Sequence, residues 1–567
     1  MTAQAQAGLS PGTAGLPSLP LDQQQLGDLE LLLSGAFAPL TGFLTTADLA
    51  AVSADGRLAG GTPWPVPVTL EVPASSVPDQ ARQVGLADPE GTPLAVLTIT
   101  ERTGLPAAPG RGGAAGAGPL VRLAGPVASQ RELEHGAFRR LMLTPAQVRG
   151  QLAEAGDGPV LALATRGPLH RRQLGQLRHV AGQLKARLLL LPLVAGPAEV
   201  VTRPEALIRT VLAAAASLPP GTLVVPVPMA ARSLPGPDAP ARELAVRALV
   251  AAAYGATHLL ADPADPAVGA AVPGAAASPA PPGGAIVTAS TGAAGPSADG
   301  LAAALRPVIP VLSVGTWAYD PRAEVWRPLT LIEPGTERDE LSPGELGDLL
   351  DAGAQVPDWF TPEPVARELR RARPPRAQRG FVLFLTGLSG SGKSTIARDL
   401  RDALAERGER EVSLLDGDLV RQLLSAGLTF SRADRDLNVT RIGFVAAEIA
   451  RHGGIAICAP IAPYAAARAR VRQLVSEVGD FLLIHVATPV QVCEARDRKG
   501  LYAKARAGLI GQFTGVSDPY EEPADAELTI DTSVLSRAEA TGLVLGMLTS
   551  GGWLPAPPQN GARTAAS

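Results

Sequence analysis

Cysteine is nearly missing: Cys458 and Cys493 are the only two in 567 residues. That excludes a disulfide framework and suits a reducing compartment. Histidine is also scarce, at six. Those at 135, 179, 258, 452 and 485 show no metal-ligand spacing. Neither sign of charge prevails, since 50 Lys+Arg against 54 Asp+Glu leave a net charge of -4. The basic excess of a dedicated nucleic-acid binder is therefore lacking. No apolar run reaches the ~18 residues of a membrane span. The N-terminus, MTAQAQAGLSPGTAG, has neither the basic region nor the apolar core of a secretory signal. The expectation is a soluble, cytoplasmic protein with no nucleic-acid or membrane partner.

What is present points to several packed domains. Hydrophobic residues make up 46% of the chain and charged residues 18%, ample for folded cores. The length alone suggests about three or four domains. Residues 1–20 read as a loose Pro/Gly/Ala-rich arm. From 21 to 142 the pattern is β-like, with PVPVTLEVP (65–73) and PLAVLTIT (93–100) as strands and 105–119 as a loop. From 143 to 371 it alternates. VLALAT (160–165), RLLLLPLV (187–194) and TLVVPVP (222–228) read as buried strands separated by helices, which predicts a parallel α/β sheet. Residues 262–300 are dense in Pro, Ala and Gly and read as a flexible loop. PEPVARELRR (362–371) predicts a helix, and 372–380 a basic, proline-containing linker. A second α/β unit spans 381–555.

That second unit opens on its most informative segment. FVLFLT (381–386) is a buried-strand run, and TIARDLRDAL has helical spacing. Between them Gly387, Gly392, Lys393 and Ser394 satisfy G-x-x-x-x-G-K-[ST] in the strand–loop–helix context that the motif needs. Gly387, Leu388, Ser389, Gly390, Ser391, Gly392, Lys393, Ser394 and Thr395 thus form a candidate ATP cradle. Its backbone N–H groups would close around phosphate, Lys393 would meet the β/γ-phosphates, and Ser394 would ligate Mg²⁺. EVSLLDGDLVRQLL (411–424) reads as a strand ending in Asp416 and Asp418, then a helix. Acids at that edge hold Mg²⁺ or orient an attacking hydroxyl. Arg435, Asn438 and Arg441 follow at helical spacing, and 493–523 is a polar, basic stretch that reads as a lid.

Taken together, TGLSGSGKST, LLDGD, FSRADRDLN, CEARDRKGLYAKARAG and FTGVSDPYE resemble adenylyl-sulfate kinase over about 379–550. That resemblance implies transfer of phosphate from ATP to the 3′-hydroxyl of adenosine 5′-phosphosulfate (APS). It implies Asp418 at the 3′-hydroxyl, with Lys393 as the other catalytic group and Asp416 near the metal. Arg421, Arg435 and Asn438 would contact APS, and Phe430 and Phe513 would sandwich its adenine. Arg496 and Lys499 would belong to the lid over ATP, with Lys499 counted among the APS-contacting groups. Two departures stand out: Ala462 occupies a position where many members carry serine, and Thr440 one where an arginine is usual.

The N-terminal two-thirds resembles ATP sulfurylase through LLLSGAFAPLTGFL (31–44), PWPVPVTLEV (63–72), YGATHLL (254–260) and QVPDWFTPEPVARELRR (355–371). This implies a PUA-like β-rich domain followed by an α/β nucleotidyltransferase-like domain. The family's Q-x-R-N-P-x-H-x-x-H should fall at 164–173, where the chain reads ATRGPLHRRQ. Arg166, Pro168 and His170 remain. The family's G-R-D-H-A-G should fall at 262–267, where DPADPA stands and Asp265 takes the histidine place. An acid there would repel a triphosphate. The sequence therefore predicts an active APS kinase fused to a sulfurylase-like region in which Arg166 and His170 are vestigial, with family members commonly homo-oligomers. A fully bifunctional enzyme and a nucleotide-sensing module are the alternatives. A pure sensor need not keep Lys393, Ser394 and Asp418 together, as this chain does.

Overall fold

Runs that are apolar at successive residues have no solvent-facing side, so they become inner strands of parallel sheets. VLALAT forms Val160–Thr165, RLLLLPLVA forms Arg187–Ala195, and FVLFLT forms Phe381–Thr386, buried throughout. The computed structural model describes residues 16–105, 119–131, 137–195, 203–232, 234, 236–262, 265, 287–288, 305–429, 431–497, 499–510 and 512–555. The chain forms two compact units. One comprises 1–108, 117–347 and 355–372; the other comprises 109–116, 348–354 and 373–567.

Among the described residues the first unit holds three sheets, the smallest being the antiparallel pair Trp317–Asp320 and Val325–Pro328. In the first, Leu120–Ser129 pairs antiparallel with Gly42–Phe43, Leu70–Pro73, Pro93–Thr98 and Glu101–Leu105. The strand expected over 65–73 shortens to Leu70–Pro73, because Pro63, Pro65 and Pro67 remove ladder donors. Trp64, Val66 and Val68 are buried all the same. In the second sheet, Leu223–Val224, Arg187–Ala195, Val160–Thr165, His258–Leu260 and Val311–Ser313 lie side by side in parallel. The strand expected over 222–228 splits into Leu223–Val224 and Val227–Ala230 around Pro226, for the same reason. The predicted helix at 362–371 runs Glu363–Ala372. Most of the loops expected at 105–119 and 262–300 lies outside the described residues.

The second unit is a doubly wound sheet. Its strands are β1 (Phe381–Thr386), β2 (Val412–Asp416), β3 (Ile455–Ala459), β4 (Asp480–Val486) and β5 (Leu528–Ile530). They are ordered β2-β3-β1-β4-β5 and all parallel. Its helices are α1 (Lys393–Arg407), α2 (Gly417–Leu423), α3 (Arg432–Arg451), α4 (Ala465–Ser476), α5 (Val490–Arg496), α6 (Leu501–Arg506) and α7 (Arg537–Ser550). One core packs Ile396 and Leu400 of α1 with Val544 and Leu548 of α7 on one side of the sheet. The other packs Ile442 and Ala446 of α3 with Val471 and Val475 of α4. Sandwiched this way, the sheet leaves the loops after its strand ends as the place for a ligand.

The basic segment before β1 is pinned within this unit. Asp351, with a side chain only 7% exposed, receives Arg373 at 2.6 Å, Arg379 at 2.5 Å and Arg376 at 3.3 Å. Arg379 also reaches Asp480 at 3.0 Å, which accepts from Trp553 Nε1 at 2.7 Å. Burial works to raise the Asp351 carboxyl, but hydrogen bonds from Arg373 and Arg379 outweigh it and hold it at about 2. A carboxylate depressed in this way stabilises the fold above its ordinary range and ceases to do so as pH falls from about 4 to about 2. We expect Asp351→Ala to cost about 3 kcal/mol, since it strands guanidinium groups that shared one buried partner. Chemical denaturation of the full chain checks this. Asp351→Asn should cost less and should flatten the loss between pH 4 and 2.

Candidate active site

The loop from Gly387 to Gly392 joins β1 to α1, and its glycines are sterically required. Gly387 has φ +149°, and a Cβ there would lie 2.4 Å from the Val486 carbonyl oxygen. Gly392, at φ +103°, caps α1 and sits against Thr532. Lys393 opens α1 and is buried. Its Nζ donates to the carbonyls of Gly387 at 2.9 Å and Leu388 at 2.7 Å. The loop is braced from outside. Thr488 and Thr532 hydroxyls donate to the Ser391 carbonyl at 3.0 and 2.9 Å. Arg496 reaches the Gly390 carbonyl at 3.3 Å and Thr532 Oγ1 at 2.8 Å. Tyr502 donates to the Ser389 carbonyl at 2.9 Å. Thr488, Thr532 and Tyr502 escaped the sequence reading because a brace is defined by position, with no motif of its own. Ser394 and Thr395 follow in the first turn of α1, both half-buried.

Asp416 ends β2, and Arg398 of α1 donates to it at 3.3 Å. Ser394 and Asp416 offer hydroxyl and carboxylate oxygens, the hard donors that suit Mg²⁺ held together with substrate phosphates. Among the described residues, no three His, Cys, Asp or Glu gather to hold a metal by themselves. Asp418 lies in α2, but its side chain is outside the described part, as is Phe430 entirely. Arg421 of α2 donates to the Thr429 carbonyl at 3.3 Å.

The helical spacing read in the sequence places Arg435 and Asn438 on one buried face of α3. Arg435 Nη1 donates to Thr514 Oγ1 at 2.9 Å and Asp518 Oδ2 at 3.0 Å. Tyr464 donates to the same carboxylate oxygen at 2.8 Å. Burial first, then that carboxylate, pushes the Tyr464 phenol up to about 12. Arg435 Nε and Nη2 and Asn438 Oδ1 are buried with no partner among the described residues. Buried groups left unmatched in this way are costly unless something else matches them. Phe513 is buried edge-on against Tyr502, with ring centroids 5.0 Å apart, in a small cluster with Cys493. Lys499 is exposed in the turn before α6, and Arg496 is exposed at the end of α5.

The first unit carries a second polar cluster, around the strand Val160–Thr165. Arg166 donates to the Met229 carbonyl at 2.9 Å and pairs with Glu243 at 3.4 Å. His170 precedes the helix Arg171–Leu184; its backbone N–H donates to Gln173 Oε1 at 3.1 Å. The ring stacks on Phe360 at 4.1 Å and hydrogen-bonds Thr361. Arg172 is saturated: it donates to Glu340 at 2.5 Å, Gln176 at 2.9 Å and Asp262 at 2.8 Å. Arg247 bridges Glu243 at 3.0 Å and Asp265 at 2.5 Å. Asp265, the acid in the histidine place, forms its ion pair with Arg247, a residue the sequence reading missed. Arg166, Arg172 and Arg247 face Glu243, Asp262, Asp265 and Glu340, so this cluster has no positive excess.

Burial, and then the nearby Arg172, lowers the His170 imidazole to about 3. It is therefore neutral in the folded state. An unfolded histidine titrates near its ordinary value, so this group favours the fold above about pH 6.5 and progressively less as pH falls toward 3. The His170 ring-proton shift should stay constant between pH 5 and 8 by NMR, and a titration in that range would contradict the burial.

Three family models match this chain: PUA-like domain over residues 1–104, ATP-sulfurylase over 139–372 and adenylylsulphate kinase over 379–531. A sulfate adenylyltransferase of Mycosarcoma maydis is 35% identical, over 94% of this chain and 94% of its own. One of Chaetomium globosum is 35% identical, over 97% and 96%. A solved structure described as a hexameric APS kinase from Thiobacillus denitrificans is 34% identical. It covers 96% of this chain and 95% of its own, at a TM-score of 0.69. The expected fold class, with PUA-like, sulfurylase-like and P-loop kinase parts, agrees with these matches. Among the described residues, no helix is long and apolar enough to cross a membrane.

Proposed function

This chain belongs to the sulfate adenylyltransferase family, with an adenylylsulphate kinase domain at its C-terminus, and on that premise we propose that it is an ATP-dependent APS kinase. The reaction moves the γ-phosphate of ATP to the 3′-hydroxyl of APS and yields 3′-phosphoadenylyl sulfate for sulfate activation in the cytoplasm. The observation that carries this is a glycine loop with buried Lys393, in the same unit as a buried Arg435–Asn438 face on which Arg435 Nε and Nη2 and Asn438 Oδ1 have no partner among the described residues. We divide the chain into PUA-like (21–142), sulfurylase-like (143–371) and kinase (381–555) parts, joined by 372–380.

The loop from Gly387 to Thr395 takes the ATP phosphates, and Lys393 leaves its loop carbonyls to meet the γ-phosphate. Arg496 closes on ATP from the lid. Ser394 and Asp416 would hold Mg²⁺, which when bound supplies charge neutralisation on the β/γ oxygens. Arg435 and Asn438 satisfy their buried groups on APS, aided by Arg421 and Lys499, while Phe430 and Phe513 hold the adenine. Asp418 orients the 3′-hydroxyl and takes up its proton. Positioning and charge carry most of such a transfer. Ala462 is buried in a left-handed backbone at φ +46° and has no hydroxyl to phosphorylate. Transfer is therefore direct, and a chiral γ-phosphate should be inverted; retention would refute this.

We further propose that the sulfurylase-like part makes no APS. Attack of sulfate on an α-phosphate needs positive charge for two anions, and here the three arginines are matched by four carboxylates. The APS kinase description of the Thiobacillus denitrificans relative agrees with this reading. The name shared by the fungal relatives favours the alternative, a fully bifunctional enzyme. Self-association is also proposed, since that bacterial relative is described as hexameric.

Two assays on the full chain decide between the readings. Lys393→Ala should lower APS phosphorylation by at least about a thousandfold, the scale of losing a preorganised charge at the transferring group; near-normal turnover would end the kinase assignment. Pyrophosphate release from ATP and sulfate, with pyrophosphatase present, should be absent. Sulfate-dependent release abolished by His170→Ala would establish the bifunctional reading.

A further inference from the structure

Three separate elements meet on the Arg435 guanidinium and leave one edge of it open. Arg435 comes from α3 and Tyr464 from the residue before α4. Thr514 and Asp518 come from a turn in which the Gly515 N–H donates to the Asp518 carbonyl at 2.8 Å. Nη1 carries two hydrogens, and it has two acceptors, Thr514 Oγ1 at 2.9 Å and Asp518 Oδ2 at 3.0 Å. The Tyr464 hydroxyl donates to that same carboxylate oxygen at 2.8 Å. Its buried ring lies beside the Arg435 guanidinium, 5.5 Å from ring centroid to Cζ. What remains is the Nε/Nη2 edge, buried and with no partner among the described residues. That edge bears the two parallel N–H groups of a bidentate donor.

We propose that Asp518 and Tyr464 are positioning residues: they hold Arg435 by Nη1 so that its Nε/Nη2 edge is presented to an oxyanion of the substrate. The inference rests on the reading that Arg435 contacts APS. An arginine side chain rotates about several bonds, and ordering it at the moment of binding costs affinity. Here that cost is met on folding, because Nη1 is already anchored. Asp518 could instead serve only to cancel the charge of Arg435, and the two roles predict opposite signs. A carboxylate that merely neutralises weakens the hold on an anion, so its removal would tighten APS binding. A carboxylate that positions strengthens the hold, so its removal loosens APS binding. Tyr464 marks the second role. Its hydroxyl adds no charge, yet it is aimed at the oxygen that Arg435 uses and fixes how the carboxylate is turned. Since both donors converge on that one oxygen, an amide oxygen can replace it.

The test uses the full-length chain, with kinase turnover measured against APS and ATP in turn. Asp518→Ala should lower kcat/KM for APS at least about tenfold, the scale of a displaced binding group, and leave the KM for ATP unchanged. Asp518→Asn keeps an accepting oxygen and drops the charge, so it should recover most of that loss. Tyr464→Phe keeps the ring beside Arg435 and removes only the hydroxyl; it should lower kcat/KM for APS about threefold. Arg435→Lys keeps the charge but has no second edge to orient. In that background neither substitution should cost anything more, because both act through Arg435. Better use of APS by Asp518→Ala overturns the inference in favour of charge cancellation. An unchanged APS response, an equal loss toward ATP, no recovery with Asp518→Asn, or full additivity with Arg435→Lys also overturns it. If Asp518→Ala does not fold, Tyr464→Phe alone and in the Arg435→Lys background decides. Undiminished kcat/KM for APS in Arg435→Lys would end the reading that Arg435 contacts APS, and the inference with it; every other failure leaves that reading standing.

Discussion

A compact ammonium buried at the start of a helix is the constraint around which the second unit is arranged. The chain has only four lysines, at 185, 393, 499 and 504, and arginine supplies nearly all its other positive charge. Lys393 nevertheless opens the helix after the glycine loop, where its compact ammonium donates to the carbonyls of both Gly387 and Leu388. Everything near it serves that placement. β1 and β4 fix the loop's two flanks, Gly387 allows the close approach to Val486, and Thr488, Thr532, Arg496 and Tyr502 hold the loop carbonyls from outside.

The same physical rule, that a buried cation needs a partner, separates the two polar clusters. Arg172 in the first unit uses all three nitrogens on protein groups, and Arg166 and Arg247 share the carboxylate of Glu243. Arg435 in the second unit spends one nitrogen on Thr514 and Asp518 and leaves two facing no described partner. Both clusters keep buried nitrogens without a partner among the described residues, Arg166 Nε and Arg247 Nη2 in one and Arg435 Nε and Nη2 in the other; the first differs in setting four carboxylates against three arginines. Asp351 illustrates the structural use of this rule, gathering Arg373, Arg376 and Arg379 so that the segment entering β1 has one path.

The linear sequence determined what contiguous residues can determine. FVLFLT, the glycine loop and the helix after it are adjacent, so strand, loop and helix were legible together. The buried runs VLALAT and RLLLLPLVA gave their strands for the same reason, and the spacing of Arg435 and Asn438 placed both on one helix face. Proline blurred the remainder: strands expected over 65–73 and 222–228 were shortened or divided where a missing N–H broke the ladder.

Only the tertiary structure decided which charges meet. Arg172 finds Asp262 and Glu340 at separations of 90 and 168 residues, and Asp265 pairs with Arg247 of another helix. His170 reads in sequence as a motif survivor, yet Phe360 and Thr361, 190 and 191 residues further on, enclose it and keep it neutral. Pairing energy depends on distance and burial, neither of which one-dimensional spacing conveys once the partners lie on different elements. The sequence therefore determined the glycine loop with its lysine between strand and helix, while folding alone set the charge balance of the sulfurylase-like cluster.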